Sequence, residues 1–196
     1  MTDRQSFMNG TRSDLLSRRA LLRVFAASAV AAAPTYSNAF GLLRGAGDIR
    51  RIKMHSGRSG ESVDVIYWID GKYIDPSFDE ISYFMRDWRS GRVKLIDRRT
   101  VDIIAASQQL LDTTESFNML SGYRTPETNR ALRSRSRSVA RNSLHITGQA
   151  ADLRMTGRSV RQISRAAISC HAGGVGKYSR SNFVHVDCGD IRVWGR

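Results

Sequence analysis

The fold of this 196-residue chain is expected to form around one stretch, Ser143-Leu144-His145-Ile146-Thr147-Gly148-Gln149-Ala150-Ala151-Asp152. Its histidine and its aspartate stand seven residues apart, with a glycine and small residues between them. About thirty residues later, the segment Phe183-Val184-His185-Val186-Asp187 alternates like a β-strand, which places His185 and Asp187 on one face. Two neutral imidazoles and one carboxylate suit a catalytic zinc ion and leave one coordination position open for water. The pattern therefore predicts a zinc site made by His145, Asp152 and His185.

The segments around this stretch predict a mixture of helices and short strands. Ser62 to Tyr73 is rich in β-branched and aromatic residues and has Asp70-Gly71 near its end, which predicts a hairpin. Apolar residues at helical spacing predict helices over residues 75–88, 99–111 and 158–171, and Pro126 is expected to begin a shorter helix. Further strands are predicted over residues 116–122, 150–155, 173–178, 181–188 and 191–194. Because helices come first and short strands follow, we expect an α+β fold, with N-terminal helices packed on a small antiparallel sheet that carries the zinc site.

The first 39 residues have the organisation of an export signal. Arg18-Arg19 precedes an apolar, alanine-rich run from Val24 to Ala33, and Ser37-Asn38-Ala39 offers small residues to a signal peptidase. The run is too short and too weakly apolar for a transmembrane helix, so we expect no stable membrane span after cleavage. The paired arginines resemble a twin-arginine signal, which predicts cleavage after Ala39 and export to the periplasm. The rest of the chain is predicted to be a linker at residues 40–58 and one domain at residues 59–196.

The chain is strongly basic. Its formal net charge is +13, and removal of residues 1–39, which hold five basic and two acidic residues, lowers that charge to +10. A basic domain usually indicates a nucleic-acid partner, but an exported protein seldom meets nucleic acid. An exported protein does meet polyanionic envelope material, so we expect no nucleic-acid partner, and the charge predicts the sign of the partner's charge but not its identity.

Some features of the sequence have two interpretations. Cys170 and Cys188 are compatible with one disulfide in an oxidising compartment or with two buried free thiols, and their spacing does not predict a metal site. The basic run at residues 130–141 is either a solvated loop or a basic rim beside the zinc site that attracts anionic substrate. His55 and His171 have no motif around them and are expected to be ordinary polar positions.

Three segments together resemble a known clan of zinc peptidases. The pattern Ser143-x-His145-x-x-Gly148-x-Ala150-x-Asp152 is similar to the metal-binding motif of the zinc D-Ala-D-Ala carboxypeptidase and murein endopeptidase clan. The segment Ser121-Gly122-Tyr123-Arg124-Thr125 resembles a serine-glycine-tyrosine-arginine segment of that clan, and residues 183–187 resemble its last ligand strand. The twin-arginine signal and the late strand at residues 191–194 look most like the murein endopeptidase K type. The resemblance covers roughly residues 60–194.

The resemblance implies roles for individual residues. It implies one zinc ion bound by His145, Asp152 and His185, and an arginine at Arg124 that binds a substrate carboxylate or stabilises the oxyanion. A structural ion pair is the alternative role for Arg124. Many relatives place a glutamate three residues before the last ligand, where this chain has Asn182, so Asp187 is the candidate general base. The alternative for Asp187 is to accept a hydrogen bond that fixes the tautomer of His185.

The function implied by these observations is hydrolysis of peptidoglycan. The resemblance implies a zinc murein endopeptidase that cleaves peptide cross-links during cell-wall remodelling, with stem peptides and cross-links as its partners. Two alternatives are a D-Ala-D-Ala carboxypeptidase or dipeptidase of the same clan, and a non-catalytic wall-binding module that keeps zinc for stability. The sequence leaves open the choice between D,D- and L,D-type bonds and the oligomeric state.

Overall fold

The computed structural model describes residues 49–195 of the chain. The predicted signal peptide and the first part of the predicted linker lie outside the described residues. The strands are β1 Ile49–His55, β2 Ser62–Ile69, β3 Lys72–Tyr73, β4 Phe117–Ser121, β5 Ala150–Arg154, β6 Gly174–Tyr178, β7 Phe183–Asp187 and β8 Arg192–Gly195. The α-helices are α1 Asp75–Phe84, α2 Arg98–Leu110, α3 Pro126–Arg133 and α4 Val160–Ser169, and two 3-10 turns span Leu144–Thr147 and Ser179–Ser181.

The strands form one sheet in the order β3-β2-β1-β4-β5-β7-β6-β8. The β1–β4 and β6–β8 pairs are parallel, and the other neighbouring pairs are antiparallel. The predicted α+β class is therefore confirmed, but the predicted arrangement was wrong in two respects. Three strands precede the first described helix, so the helices are not N-terminal. The sheet is mostly antiparallel, as expected, but within residues 49–195 it has eight strands and two parallel pairs where a small antiparallel sheet was expected.

Strand β1 accounts for part of this difference, because it lies inside the segment that was expected to be a linker. Its burial alternates, with Ile52 and Met54 completely buried and Arg51 and Lys53 exposed. The basic residues of the exposed face hide the strand pattern in the sequence, whereas the two apolar residues join the core. β1 pairs with both β2 and β4 and is therefore an interior strand of the sheet.

The predicted hairpin is confirmed. β2 and β3 pair in antiparallel register through a two-residue turn at Asp70 and Gly71, whose φ angles are 47° and 83°. Positive φ at both central positions is the geometry in which Asp-Gly is favoured. The twist of this turn matches the twist of the flanking strands and fixes their register.

Helix α1 begins as predicted and ends earlier than predicted. Its buried face carries Phe78 and Ile81, but the helix ends at Phe84, and Trp88 is exposed beyond it. The side chain of Asp87 explains the early end, because its carboxylate accepts hydrogen bonds from the backbone N–H and the hydroxyl of Thr125 at 2.9 and 3.0 Å. This tertiary contact fixes the chain in a turn where the sequence pattern alone would continue the helix.

Helices α2 and α4 pack on each other and against β7. Asp97 caps the N-terminus of α2 by accepting from the backbone N–H of Arg99, and Ser159 and Gln162 form a capping box on α4. None of the helices within residues 49–195 combines the length and the apolar character needed to cross a membrane. Cys170 and Cys188 are both buried and both free, which favours the free-thiol interpretation.

Strands β4, β5 and β7 are neighbours in the sheet, and their pairing assembles the predicted site. Asp152 on β5 pairs with Ser121 on β4 and with His185 on β7. Three segments far apart in sequence therefore meet at one place in the sheet.

Candidate metal centre

His145 is presented by a 3-10 turn directly before β5. Ser143 caps the start of this turn, and Gly148 ends it with a φ of 76°. A Cβ atom at Gly148 would lie 2.7 Å from the carbonyl oxygen of Leu95, so glycine is required there by space as well as by conformation. The turn buries the His145 side chain, which is 2% exposed.

The tautomer of His145 follows from its hydrogen bonding. Nδ1 lies 2.6 Å from the backbone carbonyl oxygen of Gly122, which can only accept, so Nδ1–H donates this bond. The lone pair of Nε2 then faces Asp152, whose Oδ1 is 3.2 Å away. Burial lowers the pKa of His145 and favours the neutral imidazole that metals bind.

Asp152 and His185 are cross-strand neighbours on β5 and β7. The Nδ1 atom of His185 lies 2.9 Å from Oδ1 of Asp152, the same oxygen that faces His145. One carboxylate oxygen and two ring nitrogens therefore converge, and one ligand atom from each residue lies within 4.8 Å of the others. The structure thus brings together all three residues that the sequence analysis assigned to a metal.

The arrangement fits a bound metal ion. Nε2 of His145 is buried and makes no hydrogen bond, although it lies 3.2 Å from Asp152 Oδ1, because with the ring proton on Nδ1 both of these atoms are acceptors. A buried polar atom without a partner is costly, and a metal ion between the three ligands would satisfy it. Two nitrogen donors and one oxygen donor are a set that zinc accepts, with a fourth position left for water or substrate.

The electrostatics of the centre favour a bound cation. Burial by itself would raise the pKa of Asp152, but the two histidines and Arg124 lower it well below its usual range, so the carboxylate is charged. Burial by itself would lower the pKa of His185, but hydrogen bonds with Asp152 and Asp187 raise it to about 9. The surroundings of His185 therefore stabilise positive charge, which a metal ion would supply.

Arg124 holds Asp152 from the side opposite the histidines. Its Nη2 forms an ion pair with Asp152 Oδ2, and its Nε donates to Ser121 Oγ at 2.8 Å. Its backbone N–H also donates to the carbonyl oxygen of His145 at 3.1 Å, which joins the two sequence motifs directly. Arg124 is only 9% exposed, but it lines the cleft. The guanidinium group of Arg124 therefore has a fixed orientation and is still accessible to a ligand.

Asp187 lies behind His185 and is completely buried. Its Oδ2 is 3.0 Å from Nε2 of His185 and accepts from Arg192 at 2.7 Å. Its Oδ1 accepts from the backbone N–H groups of Gly174 and Gly189 at 3.2 and 2.9 Å and from Arg192 at 3.1 Å. Burial would raise the pKa of Asp187, but His185, Gly189 and Arg192 lower it.

Arg192 and Trp194 are residues of the centre that the sequence analysis did not assign. Both lie on β8, and the Trp194 ring is 5.3 Å from the His185 ring, measured between centroids. Trp194 Nε1 donates to the hydroxyl of Tyr178 at 3.1 Å. The signal that was available is the alternation of β8, but its parallel pairing with β6 depends on contacts that sequence spacing does not reveal.

The three ligands line a cleft of about 310 Å³. Its lining includes the aromatic residues Tyr178, Phe183 and Trp194 and the loop residues 138–140 and 142–144. Residues 138–140 belong to the basic run of the sequence, whose lining part is Ser138, Val139 and Ala140 rather than its arginines. Asn129 anchors the end of this run by donating to the carbonyl oxygen of Ala140 at 3.0 Å.

His55 and His171 lie outside the cleft. His55 Nδ1 is 3.0 Å from Ser116 Oγ, and His171 follows α4 with a φ of 48°. Both positions agree with the expectation that neither histidine belongs to the metal centre.

Comparison with known proteins finds similarity along most of the chain. A family profile described as "Peptidoglycan L,D-endopeptidase MepK" matches residues 44–194. The Peptidoglycan L,D-endopeptidase MepK of Escherichia coli (strain K12) is 40% identical over 145 residues, which cover 74% of this chain and 80% of that protein. The Probable peptidoglycan L,D-endopeptidase MepK of Haemophilus influenzae (strain ATCC 51907 / DSM 11121 / KW20 / Rd) is 38% identical over 116 residues, which cover 59% of this chain and 62% of that protein.

Proposed function

The chain belongs to the peptidoglycan L,D-endopeptidase MepK family, and we propose that it hydrolyses L,D-type peptide bonds in peptidoglycan cross-links with a zinc ion held by His145, Asp152 and His185. The observation that carries this proposal is the convergence of the three ligands within 4.8 Å in an open cleft, with Nε2 of His145 lacking any hydrogen-bond partner. The chain is a peptidoglycan endopeptidase by its family, and the donor set supports zinc as its metal.

The mechanism that fits this geometry is metal-assisted hydrolysis. When bound, zinc supplies Lewis-acid chemistry that polarises the scissile carbonyl group and activates water as the nucleophile. Arg124 provides a fixed positive charge at the edge of the metal centre, where negative charge develops on the carbonyl oxygen. Its bonds to Ser121 and Asp152 hold the guanidinium in place before substrate arrives, so little reorganisation is needed during the reaction.

We assign Asp187 to the orientation of His185. Both Asp187 oxygens already accept hydrogen bonds from protein groups, and Arg192 neutralises their charge. A general base needs a lone pair directed at the water it deprotonates, and these contacts leave little room for that role. Asp187 instead fixes the ring of His185 so that Nδ1 faces the metal position, which is the role of a carboxylate behind a metal-bound histidine.

The substrate sets where the protein works. Peptidoglycan lies outside the cytoplasmic membrane, so we propose that the chain is exported to the periplasm. The Arg18-Arg19 pair and the apolar run after it support the twin-arginine route for that export. Mass measurement of the exported protein checks this, since cleavage after Ala39 is expected and a mature protein that retains Arg18 would contradict it.

The test of the function is product analysis on purified cross-linked muropeptides. The exported protein loaded with zinc is expected to convert L,D-cross-linked dimers into monomers, and D,D-cross-linked dimers serve as the comparison for bond type. A carboxypeptidase would instead shorten stems by one residue without separating the dimer. A wall-binding module would leave every mass unchanged.

A matched pair of variants distinguishes the effect of losing a metal ligand from the effect of losing any histidine. His185→Gln removes a proposed ligand, whereas His55→Gln makes the same change at a histidine outside the cleft. We expect cleavage to be abolished in the first variant and retained in the second.

A further inference from the structure

A second hollow lies beside the metal centre, and arginines form its charged walls. We propose that this basic hollow, defined by Arg58, Arg89 and Arg154, binds a free carboxylate of the substrate peptide and so contributes to substrate selection. The inference rests on the proposed function, because it concerns the substrate of the same site. It assigns a role to three residues outside the metal centre.

The basic hollow is continuous with the catalytic cleft. It has a volume of about 380 Å³, and four residues line both it and the cleft. The shared residues are Arg124, Val139, Asp152 and Phe183. A peptide bound across the metal centre can therefore extend into the hollow along a shared wall.

The charged side chains that line the basic hollow are mostly positive. Arg58, Arg89 and Arg154 line it together with Arg124, and the one carboxylate among its lining residues is Asp152. Asp152 is already engaged by Arg124 and the two histidines. Within residues 49–195, no acidic side chain forms an ion pair with any of the three defining arginines. Their guanidinium groups are therefore available to an anionic ligand.

Trp88 holds two of these arginines in position. The Arg89 guanidinium carbon lies 4.2 Å from the centre of a Trp88 ring, and the Arg58 guanidinium carbon lies 5.1 Å from it. Stacking on an aromatic face orders a guanidinium group and leaves the N–H donors at its edge free for a carboxylate. Burial and the charge of Arg58 lower the pKa of Arg89 in spite of the opposing effect of Asp87, which agrees with repulsion between the neighbouring arginines. This role also accounts for the exposure of Trp88, which the helical pattern alone would place in the core.

Arg154 fixes the distance between the basic hollow and the reaction centre. It follows Asp152 by two residues on β5, so both side chains lie on the same face of the strand. Two residues of a strand span roughly 7 Å, which is about the length of two residues of an extended peptide. The carboxylate bound here would therefore lie within about two residues of the hydrolysed bond.

The chemistry of the substrate matches this placement. Peptidoglycan peptides are linked in part through side-chain groups, so they carry free carboxylates along their length. Arg–carboxylate pairs combine charge with two directed hydrogen bonds and distinguish a carboxylate from its neutral carboxamide. The two forms of a peptide have nearly the same size, so amidation tests charge recognition and leaves shape unchanged.

The experiment compares a cross-linked peptide with its amidated form as substrates of the zinc-loaded protein. For the wild-type chain, kcat/KM is expected to be about tenfold or more higher for the free-carboxylate form, as one charge-assisted contact allows. Arg89→Gln combined with Arg154→Gln should bring this ratio close to one, mainly through a higher KM for the free-carboxylate form. If the double variant folds poorly, Arg58→Gln provides a second test, because Arg58 is at an exposed position. This single variant should also lower the ratio.

The matched control is Arg161→Gln combined with Arg165→Gln. These arginines are exposed on α4, form no ion pair within the described part of the chain, and do not line the basic hollow. The two control substitutions remove the same amount of positive charge as the test variant, so the control protein should keep the wild-type ratio of kcat/KM values. The inference is overturned if the wild-type chain cleaves both forms equally well, or if both double variants change the ratio to the same extent.

A binding measurement separates this inference from the proposed function. Calorimetry measures binding of an uncross-linked stem peptide, free or amidated, to the zinc-loaded protein. Tighter binding of the free form, lost in the Arg89 and Arg154 double variant, supports the basic hollow whether or not any cross-link is hydrolysed. Equal binding of the two forms overturns it. Absence of cleavage on every cross-linked substrate would contradict the proposed function instead.

Discussion

Nε2 of His185 lies 3.0 Å from Oδ2 of Asp187, a carboxylate that is completely buried. The opposite ring nitrogen, Nδ1, faces Asp152 at 2.9 Å. The imidazole is therefore held at both ring nitrogens. The direction of Nδ1 toward Asp152 depends on the Asp187 carboxylate, which lies on the other side of the ring. This relationship determines what replacement of Asp187 should do.

Asp187→Asn should weaken metal binding more than it affects the reaction at saturating metal. Loss of a carboxylate behind a metal-bound histidine typically costs 10- to 100-fold in metal affinity, because the tautomer and the ring direction are no longer fixed. Zinc titration followed by cleavage rates measures both effects.

The control for this substitution is Asp190→Asn, which makes the same change at an exposed residue nearby. It should leave zinc affinity unchanged. The orienting role would be contradicted if Asp187→Asn bound zinc normally and still lost about 10²- to 10⁴-fold in rate, which is the signature of a missing general base.

Arg124→Lys should lower kcat/KM by about 100-fold or more. Lysine keeps the charge but has no planar fork, so it cannot hold Ser121 and Asp152 together as Arg124 does. Steady-state cleavage of a cross-linked muropeptide measures the loss. Arg130→Lys, at an exposed position of α3, is the matched control and should cleave at the wild-type rate. Equal rates for both variants would mean that Arg124 has no role in the reaction.

Asp102→Ala should destabilise the fold by about 3–5 kcal/mol, because it leaves the buried charge of Arg50 without its partner. Asp102 also accepts hydrogen bonds from the hydroxyls of Tyr67 and Tyr73, which connect α2 to β2 and β3. Urea unfolding at neutral pH measures the change in free energy.

An exposed ion pair that also involves β1 provides the comparison with the buried Arg50–Asp102 pair. Arg51 and Asp64 form an ion pair across β1 and β2 in which the arginine side chain is 64% exposed. Asp64→Ala should cost less than about 1 kcal/mol, as exposed pairs do. If Asp64→Ala were as costly as Asp102→Ala, burial would not be the cause of the larger loss.

Asp97 should make stability depend on pH between about pH 4 and pH 2. Burial would raise its pKa, but hydrogen bonds from Arg99 and Gln149 lower the pKa to about 2, below the value of about 3.9 of an unfolded chain. The charged form therefore stabilises the fold above about pH 4, and this contribution disappears as the pH falls through about 2.

Asp97→Asn keeps a residue that can cap α2 and removes the charge. In urea unfolding, this variant should have a lower free energy of unfolding than the wild-type chain at pH 6. The difference between the two proteins should be smaller at pH 2.5. Asp79→Asn, at an exposed aspartate of α1, controls for the loss of one negative charge. A difference between Asp97→Asn and the wild-type chain that stays constant from pH 6 to pH 2.5 would contradict the assigned cause.

The sequence was informative about this site because its signals are local. The alternation of β7 places His185 and Asp187 on one face, where their side chains are 3.0 Å apart. The turn that presents His145 is encoded by Ser143 and Gly148 at its two ends. The proximity of the three ligands depends on the long-range pairing of β5 with β7, and it was predicted with the help of the resemblance to the clan's metal-binding motif. Their binding of zinc stays a prediction.

The features that could not be predicted depend on long-range contacts. β1 was hidden by its basic exposed face, and its place between β2 and β4 depends partly on pairing with residues sixty-three positions away, as between Met54 and Phe117. The end of α1 is set by Asp87 bonding to Thr125, a contact across thirty-eight residues. Trp194 lies beside His185 because β8 pairs in parallel with β6, which in turn pairs with β7. Helical and strand periods carry no information about such pairings.

The central claim is that His145, Asp152 and His185 hold the metal ion that catalyses cross-link hydrolysis. The most direct measurement is the rate of cleavage of an L,D-cross-linked muropeptide while zinc is titrated into chelator-treated protein. Activity should be absent after chelation, should return to a plateau at about one zinc ion per chain, and should not return in His145→Gln. Full activity without metal, or equal recovery in His145→Gln, would contradict the claim.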